Sequence, residues 1–212
     1  MLSDILIQSI SQFQQDCSKL CERHYPAIHN RGMTEHHMAL AYTRRLYSTL
    51  SEYGHSSSTQ PLDMRPKRDL PHHYRVTCEL GSVWVITQHM MNASKTYRNK
   101  LIRDIAQWKS EFGFAIQPND LLLVLSDHWL TRSHSSRELI HWWTGVLPDE
   151  MNAYQAQGVS LYESDSQLSQ TLEEHFNLSP YFLKIAHPLK RMNNEELVRK
   201  YVQLYAVIEW NR

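Results

Sequence analysis

The chain has 212 residues, of which 42% are hydrophobic and 21% charged, and its formal net charge is zero. This composition excludes a disordered chain, and the zero balance excludes a general electrostatic attraction to nucleic acid or membranes. Three cysteines without paired metal spacing indicate a reducing compartment, so we expect a cytoplasmic protein. No apolar run is long enough to span a bilayer, and no signal peptide is expected.

Two amphipathic helices are predicted first, over residues 3–24 and 34–53, from apolar residues at helical spacing. Thr34 is the expected N-cap of the second helix. Residues 54–70 are predicted to be a loop, because serines and prolines dominate them before the basic stretch MRPKRD.

A hairpin is predicted next. Residues 74–80 alternate between apolar and polar side chains, Gly81-Ser82 is the expected turn, and residues 83–87 are apolar on both faces. Ser135 and Glu138 are spaced as a capping box at the start of a later helix. The remaining predicted elements are helices over 94–112, 135–145, 165–176 and 194–209, and strands over 121–125 and 158–163.

These elements predict an α/β (α+β) fold, with a central mixed sheet of about four strands flanked by helices and with helical N- and C-terminal extensions. One domain is expected over residues 1–212. It comprises an N-terminal helix in 1–30, an α/β core in 34–163 and C-terminal helices in 164–212. A mostly helical interaction protein is the alternative.

Charge is distributed unevenly along the chain. Residues 61–109 hold nine Lys or Arg and four acids, whereas residues 149–176 hold six acids and no Lys or Arg. The first segment could therefore face an anion, and the alternative is that the two segments pair with each other across the fold.

The order α-β-β-α-β-α-β, with a carboxylate on the hairpin, resembles the PD-(D/E)XK core of restriction endonucleases over roughly residues 34–163. In that family a first-strand Asp and a second-strand Glu hold Mg²⁺, and a Lys-type residue orients the attacking water. Glu79 stands in the place of the Asp, Gln88 in that of the Glu, and Met90 in that of the Lys. Glu35 stands for the first-helix carboxylate that some members add. Gln88 is neutral and Met90 cannot orient water, so the motif is degenerate.

The resemblance implies a DNA-binding protein, DNA rather than RNA, that hydrolyses phosphodiester bonds with Mg²⁺. Glu35 and Glu79 would hold the metal, and Glu79, Gln88 and Lys95 would be catalytic. A homodimer or a subunit of a complex is also implied. The alternative is a non-enzymatic nuclease-fold subunit that regulates or binds another protein. The implied phosphate-contacting residues are Lys67, Arg68, Arg98, Lys100 and Arg103.

Each of these residues also has a structural interpretation. An acid in the first turn of a helix complements its dipole, and exposed strand and helix positions are commonly charged. Three further groups could bind a metal, act as an acid-base pair or stack on bases. Packing is the alternative for the first and the third, and the second lacks a nucleophile in a recognisable setting. The groups are, in that order, Cys17, Cys21 and His24; Asp127 and His128; and Trp129, Trp142 and Trp143.

Overall fold

A computed structural model describes residues 1–24, 34–64, 70–191 and 195–210. Within these ranges the chain forms seven α-helices, one 3-10 turn at Gly113–Ala115 and six strands. The helices are α1 Leu2–His24, α2 Glu35–Glu52, α3 Lys95–Phe112, α4 His134–Arg137, α5 Leu139–Thr144, α6 Met151–Ala156 and α7 Leu168–Phe176. The strands are β1 Ser57–Pro61, β2 His73–Cys78, β3 Gly81–Met90, β4 Leu121–Trp129, β5 Pro180–Ala186 and β6 Tyr201–Glu209.

The six strands form one mixed sheet in the order β1-β2-β3-β4-β6-β5. β3 and β4 are parallel, and the other neighbouring strands are antiparallel. The parallel pair needs a crossover connection, which α3 supplies. The predicted mixed sheet flanked by helices is therefore confirmed, with six strands rather than about four.

Helices cover both faces of the sheet, so the central strands are buried on both sides. Successive side chains of β3 point to opposite faces. Val83 and Val85 pack in a core with α1 and α2, whereas Trp84 and Ile86 pack with α3 and the helices that follow it. β3 therefore contributes to two hydrophobic cores at once.

The first half of the chain follows the sequence-based expectations closely. Helices occupy Leu2–His24 and Glu35–Glu52, and the side chain of Thr34 caps the second by accepting a hydrogen bond from the His37 backbone N–H at 3.3 Å. The hairpin, α3 and β4 also lie where they were predicted. The loop predicted over 54–70 is wrong in part, because it contains β1, which pairs with β2.

The hairpin turn differs from the prediction by two residues. β2 ends at Cys78 and β3 begins at Gly81, so the turn consists of Glu79 and Leu80. Gly81 has a φ of +140°, and a Cβ atom there would lie 2.9 Å from the backbone oxygen of Asn119. Only glycine fits this close approach.

The predicted C-terminal helix over 194–209 is wrong, because Tyr201–Glu209 is the strand β6 beside β4. Leu204 and Ile208 fit a helical spacing, but every residue of β6 except the last is buried. A strand covered on both faces is apolar almost throughout, so selected positions within it also satisfy the helical period.

Three smaller predictions are also wrong. Residues 158–163 form no strand, and Pro180–Ala186 forms one that was not predicted. The helix predicted over 135–145 is two short helices, and α4 begins at His134 after Ser133 as its N-cap, so the capping box is not formed. The helix predicted over 165–176 is confirmed as α7.

Candidate functional site

The ends of several elements meet at one edge of the sheet, which we call the β3/β4 edge. Met90 of β3 lies beside His128 of β4 in the parallel pair, and β6 begins there with Tyr201 beside Trp129. β2 also begins at this edge, since it runs antiparallel to β3. Open α/β sheets with parallel strands bind ligands in the crevice outside the carboxyl ends of those strands. A binding site is therefore expected at the β3/β4 edge.

Glu35 begins α2 and extends onto the end of β3. Its Oε1 atom accepts a hydrogen bond from the backbone N–H of His89 at 3.1 Å and lies 3.5 Å from Nζ of Lys100. Its Oε2 atom lies 3.9 Å from Nε2 of His72. Both carboxylate oxygens therefore already have partners, from β3, from α3 and from the residue before β2.

A histidine and a buried carboxylate lie next to Glu35. Nδ1 of His89 lies 2.7 Å from Oδ1 of Asp127, and the hydroxyl of Tyr201 donates to the other oxygen of Asp127 at 2.7 Å. Asp127 is fully buried, whereas the His89 side chain is 20% exposed. The hydrogen bond to Asp127 raises the pKa of His89, against the opposing effect of burial. Burial, followed by the Asp127 charge, raises the pKa of Tyr201 well above its usual value.

Gln88 and Met90 lie on the opposite face of β3 from His89. Nε2 of Gln88 donates to the backbone oxygen of Tyr97 in α3 at 3.1 Å, and Met90 is buried in the core beneath α3. Oε1 of Gln88 is buried without a hydrogen bond. Because alternate strand residues face opposite sides, the positions matched to the family's Glu and Lys point away from the face that carries His89. Thr87 shares the His89 face, and its hydroxyl donates to the backbone oxygen of His72.

Glu79 lies at the other end of the sheet, in the turn before β3. It is exposed, and its Oε1 atom lies 2.5 Å from Nδ1 of His55. The hydrogen bond with His55 lowers the pKa of Glu79. Gly81 and His89 are eight residues apart, which corresponds to about 26 Å along a strand. The structure therefore does not bring Glu35 and Glu79 together, and the two-carboxylate metal site expected from them is not formed.

The basic residues of α3 fall into two classes. Arg98 is buried, donates to the backbone oxygens of Ala93 and Ser135, and covers the ring of Trp142 at 4.9 Å. Burial lowers its pKa. Arg98 is thus a packing residue that joins α3 to the segment after β4, and the expected phosphate contact is wrong for it.

The other predicted basic residues are more accessible. Lys95 and Arg103 are exposed, and Lys100 pairs with Asp104 at 3.0 Å as well as with Glu35. Lys67 and Arg68 lie outside the described residues, as do the side chains of Cys21 and His24.

Asp127 and His128 do not form the expected acid-base pair, because they point to opposite faces of β4. Nδ1–H of His128 donates to the backbone oxygen of Met90 at 2.7 Å, and Oγ of Ser136 donates to its Nε2 at 2.8 Å. His128 and Ser136 are both fully buried. Burial lowers the pKa of His128, which is a neutral structural residue. Asp127 pairs with His89 instead.

The three tryptophans pack rather than offering rings to a ligand. Trp142 and Trp143 are buried, and Nε1 of Trp143 donates to the backbone oxygen of Tyr205 at 3.0 Å. Trp129 is partly buried against Tyr201, with ring centres 5.0 Å apart. Core packing, the alternative stated for this group, therefore describes Trp142 and Trp143.

Tyr201 was not expected at this site, and His89 was not expected to pair with Asp127. The available signal was Asp127 itself, a carboxylate that continues the apolar run LLLVLS of β4. A charged residue at the carboxyl end of a buried strand is a functional-site signal in a parallel sheet. In the part of the chain that the structure describes, no group of three or more His, Cys, Asp or Glu residues has the arrangement of a metal site.

The comparisons with known proteins do not show a family for this chain. No family model matches it, and no curated protein matches it. One solved structure, a humanised D. rerio TDP2 with 14 mutations, is 10% identical and is similar over 94% of each chain with a TM-score of 0.34. A TM-score this low carries no argument about fold or function. Among the described residues, no helix has the length and apolar character needed to cross a bilayer.

Proposed function

We propose that this chain binds nucleic acid, DNA rather than RNA, through the β3/β4 edge, without metal-dependent cleavage by Glu35 and Glu79. The observation that carries the proposal is a set of exposed basic side chains on the elements that begin or end at this edge. Within the described ranges none of them makes an ion pair, so each is available to a phosphate. They are Lys95 at the start of α3, Arg103 about 12 Å further along the same helix, Arg132 after β4 and Lys200 before β6.

Backbone contacts support the grouping of these residues. Lys200 directly precedes β6, and its backbone oxygen accepts from the Leu130 N–H at 2.6 Å, two residues before Arg132. The first turn of α3 lies against the same segment, since Arg98 donates to the backbone oxygen of Ser135 at 2.9 Å. The segment after β4 therefore adjoins the start of α3 and the start of β6. A continuous surface of this kind is needed to follow a phosphate backbone.

We further propose that the core is of the restriction-endonuclease-like kind. Of the order α-β-β-α-β-α-β on which the resemblance rests, α2, β2, β3, α3 and β4 are present, and the last strand, expected over 158–163, is not. Glu35 has the place of the first-helix carboxylate. The residues that face this carboxylate do not fit Mg²⁺. Glu35 and Asp127 are both held by other groups, and the strand positions on the same face are Thr87 and His89. A non-catalytic binding protein is thus favoured over a nuclease.

Single charge reversals test the proposal. Fluorescence anisotropy with a labelled duplex of about 20 base pairs would be measured at about 50 mM salt for Lys95→Glu, Arg103→Glu, Arg132→Glu and Lys200→Glu. Each is expected to weaken binding about five- to tenfold. Lys184→Glu, on the edge strand β5, is the matched control and should bind like the wild type.

No binding by the wild type, or an equal loss in the Lys184→Glu control, would contradict the proposed surface. Incubation of plasmid DNA with Mg²⁺ or Mn²⁺ tests the catalytic part separately. Cleavage that Glu35→Gln abolishes would show that this edge is a nuclease site after all.

A further inference from the structure

We propose that His89 is a proton-linked phosphate contact: its Nε2–H donates to a phosphate oxygen of the bound nucleic acid only when the imidazole is protonated. The inference deepens the proposed function and rests on it. It assigns to His89 both a ligand class, a phosphodiester, and a control of affinity by pH.

Hydrogen bonding fixes the orientation of the imidazole. Asp127 is fully buried and receives the Tyr201 hydroxyl on one oxygen, so its other oxygen holds Nδ1–H of His89 at 2.7 Å. The backbone N–H of His89 is in turn held by Glu35 at 3.1 Å. Asp127 and Glu35 together keep the His89 ring at the end of β3 with Nδ1 directed inward. The hydrogen bond at Nδ1 then determines whether Nε2, the outer nitrogen, donates or accepts.

The outer nitrogen is accessible. Among the described residues, Nε2 of His89 has no hydrogen-bond partner. This atom is also not buried, unlike Nε2 of His72 and Oε1 of Gln88. The side chain is 20% exposed. Nε2 is therefore open to solvent, where it is a donor in the imidazolium form and can only accept in the neutral Nδ1–H form.

The charges around His89 make its protonation matter to an anion. With His89 neutral, its two carboxylate neighbours are Asp127 and Glu35, and Glu35 and Asp104 both pair with the ammonium group of Lys100. Three carboxylates thus face one cation, and protonation of His89 adds a second. A phosphate that Lys95, Arg103, Arg132 and Lys200 attract to this edge is thus repelled less when His89 is charged. The surrounding groups are Glu35 from α2, His72 before β2, Lys100 and Asp104 from α3, Asp127 and His128 from β4, and Tyr201 from β6.

The direction of the linkage follows from the same contacts. Asp127 raises the pKa of His89 in the free protein, and a bound phosphate would raise it further. Affinity for a phosphodiester is then greatest below the His89 pKa and falls as pH rises through it. Lys95, Arg103, Arg132 and Lys200 are proposed to contact phosphates independently of His89, so some binding persists at high pH.

The test is duplex binding followed by anisotropy from about pH 5.5 to about pH 8.5 at constant ionic strength. Wild-type affinity is expected to fall about fivefold across this range. His89→Gln should bind at the weaker level throughout, and His175→Gln, which removes an exposed histidine on α7, should behave like the wild type. A pH-independent wild type, or a His89→Gln variant that keeps the full pH dependence, would overturn the inference.

A measurement on the unaltered chain separates this inference from the proposed function. Inorganic phosphate is titrated into protein with ¹⁵N-labelled histidine, and the ring nitrogens of His89 are followed by NMR. The inference predicts that phosphate shifts the Nε2 resonance and raises the His89 pKa. If no nucleic acid binds at any pH, the proposed function fails, and the phosphate titration alone then decides whether His89 is an anion contact. An unchanged His89 signal would exclude it.

Discussion

Oε1 of Glu35 accepts a hydrogen bond from the backbone N–H of His89 at 3.1 Å, which joins the first residue of α2 to the end of β3. The same oxygen lies 3.5 Å from Nζ of Lys100. A carboxylate in this position stabilises the edge through a backbone donor and a lysine, and it is not a free metal ligand. The residue that a nuclease would use for Mg²⁺ is therefore part of the scaffold of the proposed binding surface.

Replacing Glu35 separates its charge from its hydrogen bond. Glu35→Gln keeps an oxygen for the His89 N–H but removes a negative charge beside the proposed phosphate path, so we expect tighter duplex binding, by about two- to fivefold. Glu35→Ala also loses the acceptor and should lower the free energy of unfolding by about 1 kcal/mol. Anisotropy and urea denaturation measure the two effects. Weaker binding by Glu35→Gln would indicate that the carboxylate itself contacts the ligand.

Arg98 and Arg103 form a matched pair on α3 with opposite expected effects. Arg98→Met removes buried hydrogen bonds to Ala93 and Ser135 and should lower the free energy of unfolding by about 3 kcal/mol. Arg103→Met changes an exposed residue and should alter stability by less than about 0.5 kcal/mol while weakening duplex binding. Thermal unfolding and anisotropy on both variants check this. The reverse assignment would mean that the buried arginine is the contact residue.

Asp120 is expected to be a stability residue at the opposite end of the sheet. Its carboxylate accepts from the Ser82 N–H at 2.8 Å, from Nε1 of Trp84 at 2.9 Å and from the Gln117 N–H at 3.1 Å. Asp120→Ala leaves these donors unpaired and should lower the free energy of unfolding by about 3–5 kcal/mol. Asp149→Ala, at an exposed position, should cost less than about 0.5 kcal/mol in the same denaturant titration. Similar losses in both variants would contradict the role of Asp120.

His187 should make the fold sensitive to acid. Its Nδ1–H donates to the Tyr201 backbone oxygen at 2.7 Å, and its Nε2 accepts from the Tyr154 hydroxyl at 2.6 Å. Burial lowers its pKa to about 4, below the value of about 6.5 in an unfolded chain. The unfolded chain therefore binds the proton first, and the stability from neutral His187 is present above about pH 6.5 and lost as pH falls toward 4.

The measurement is the thermal midpoint of unfolding between about pH 7 and about pH 5. His187→Gln should show a smaller fall than the wild type, because the group that takes up the proton is gone. His175→Gln, an exposed histidine in α7, should show the wild-type fall. A His187→Gln variant as acid-sensitive as the wild type would mean that other groups dominate acid unfolding.

Sequence alone was sufficient for α1, α2, α3 and the two strands of the hairpin, because caps, amphipathic spacing and strand alternation are local signals, but it misplaced the hairpin turn by two residues. It failed for β6, whose two buried faces make almost every residue apolar and leave no alternation to read. The choice between Gln88 and His89 failed for the same reason. β3 is apolar on both faces, so nothing in its sequence indicates which side chains point toward α2.

The contacts of the candidate site were less predictable than its members. Glu35 was recognised as a first-turn acid, but its bond to His89 joins residues 54 positions apart and depends on how α2 packs on the sheet. The pairing of His89 with Asp127 depends on the parallel register of β3 and β4. Such registers are set by tertiary packing across the α3 crossover and not by local sequence.

The salt dependence of duplex binding tests the central claim most directly. If Lys95, Arg103, Arg132 and Lys200 contact phosphates, the logarithm of the association constant should fall against the logarithm of salt concentration with a slope of about −3 to −4. Each single charge reversal among the four should make that slope shallower by about one, and Lys184→Glu should leave it unchanged. A slope near zero, or slopes that do not change in these variants, would contradict the β3/β4 edge as a nucleic-acid-binding surface.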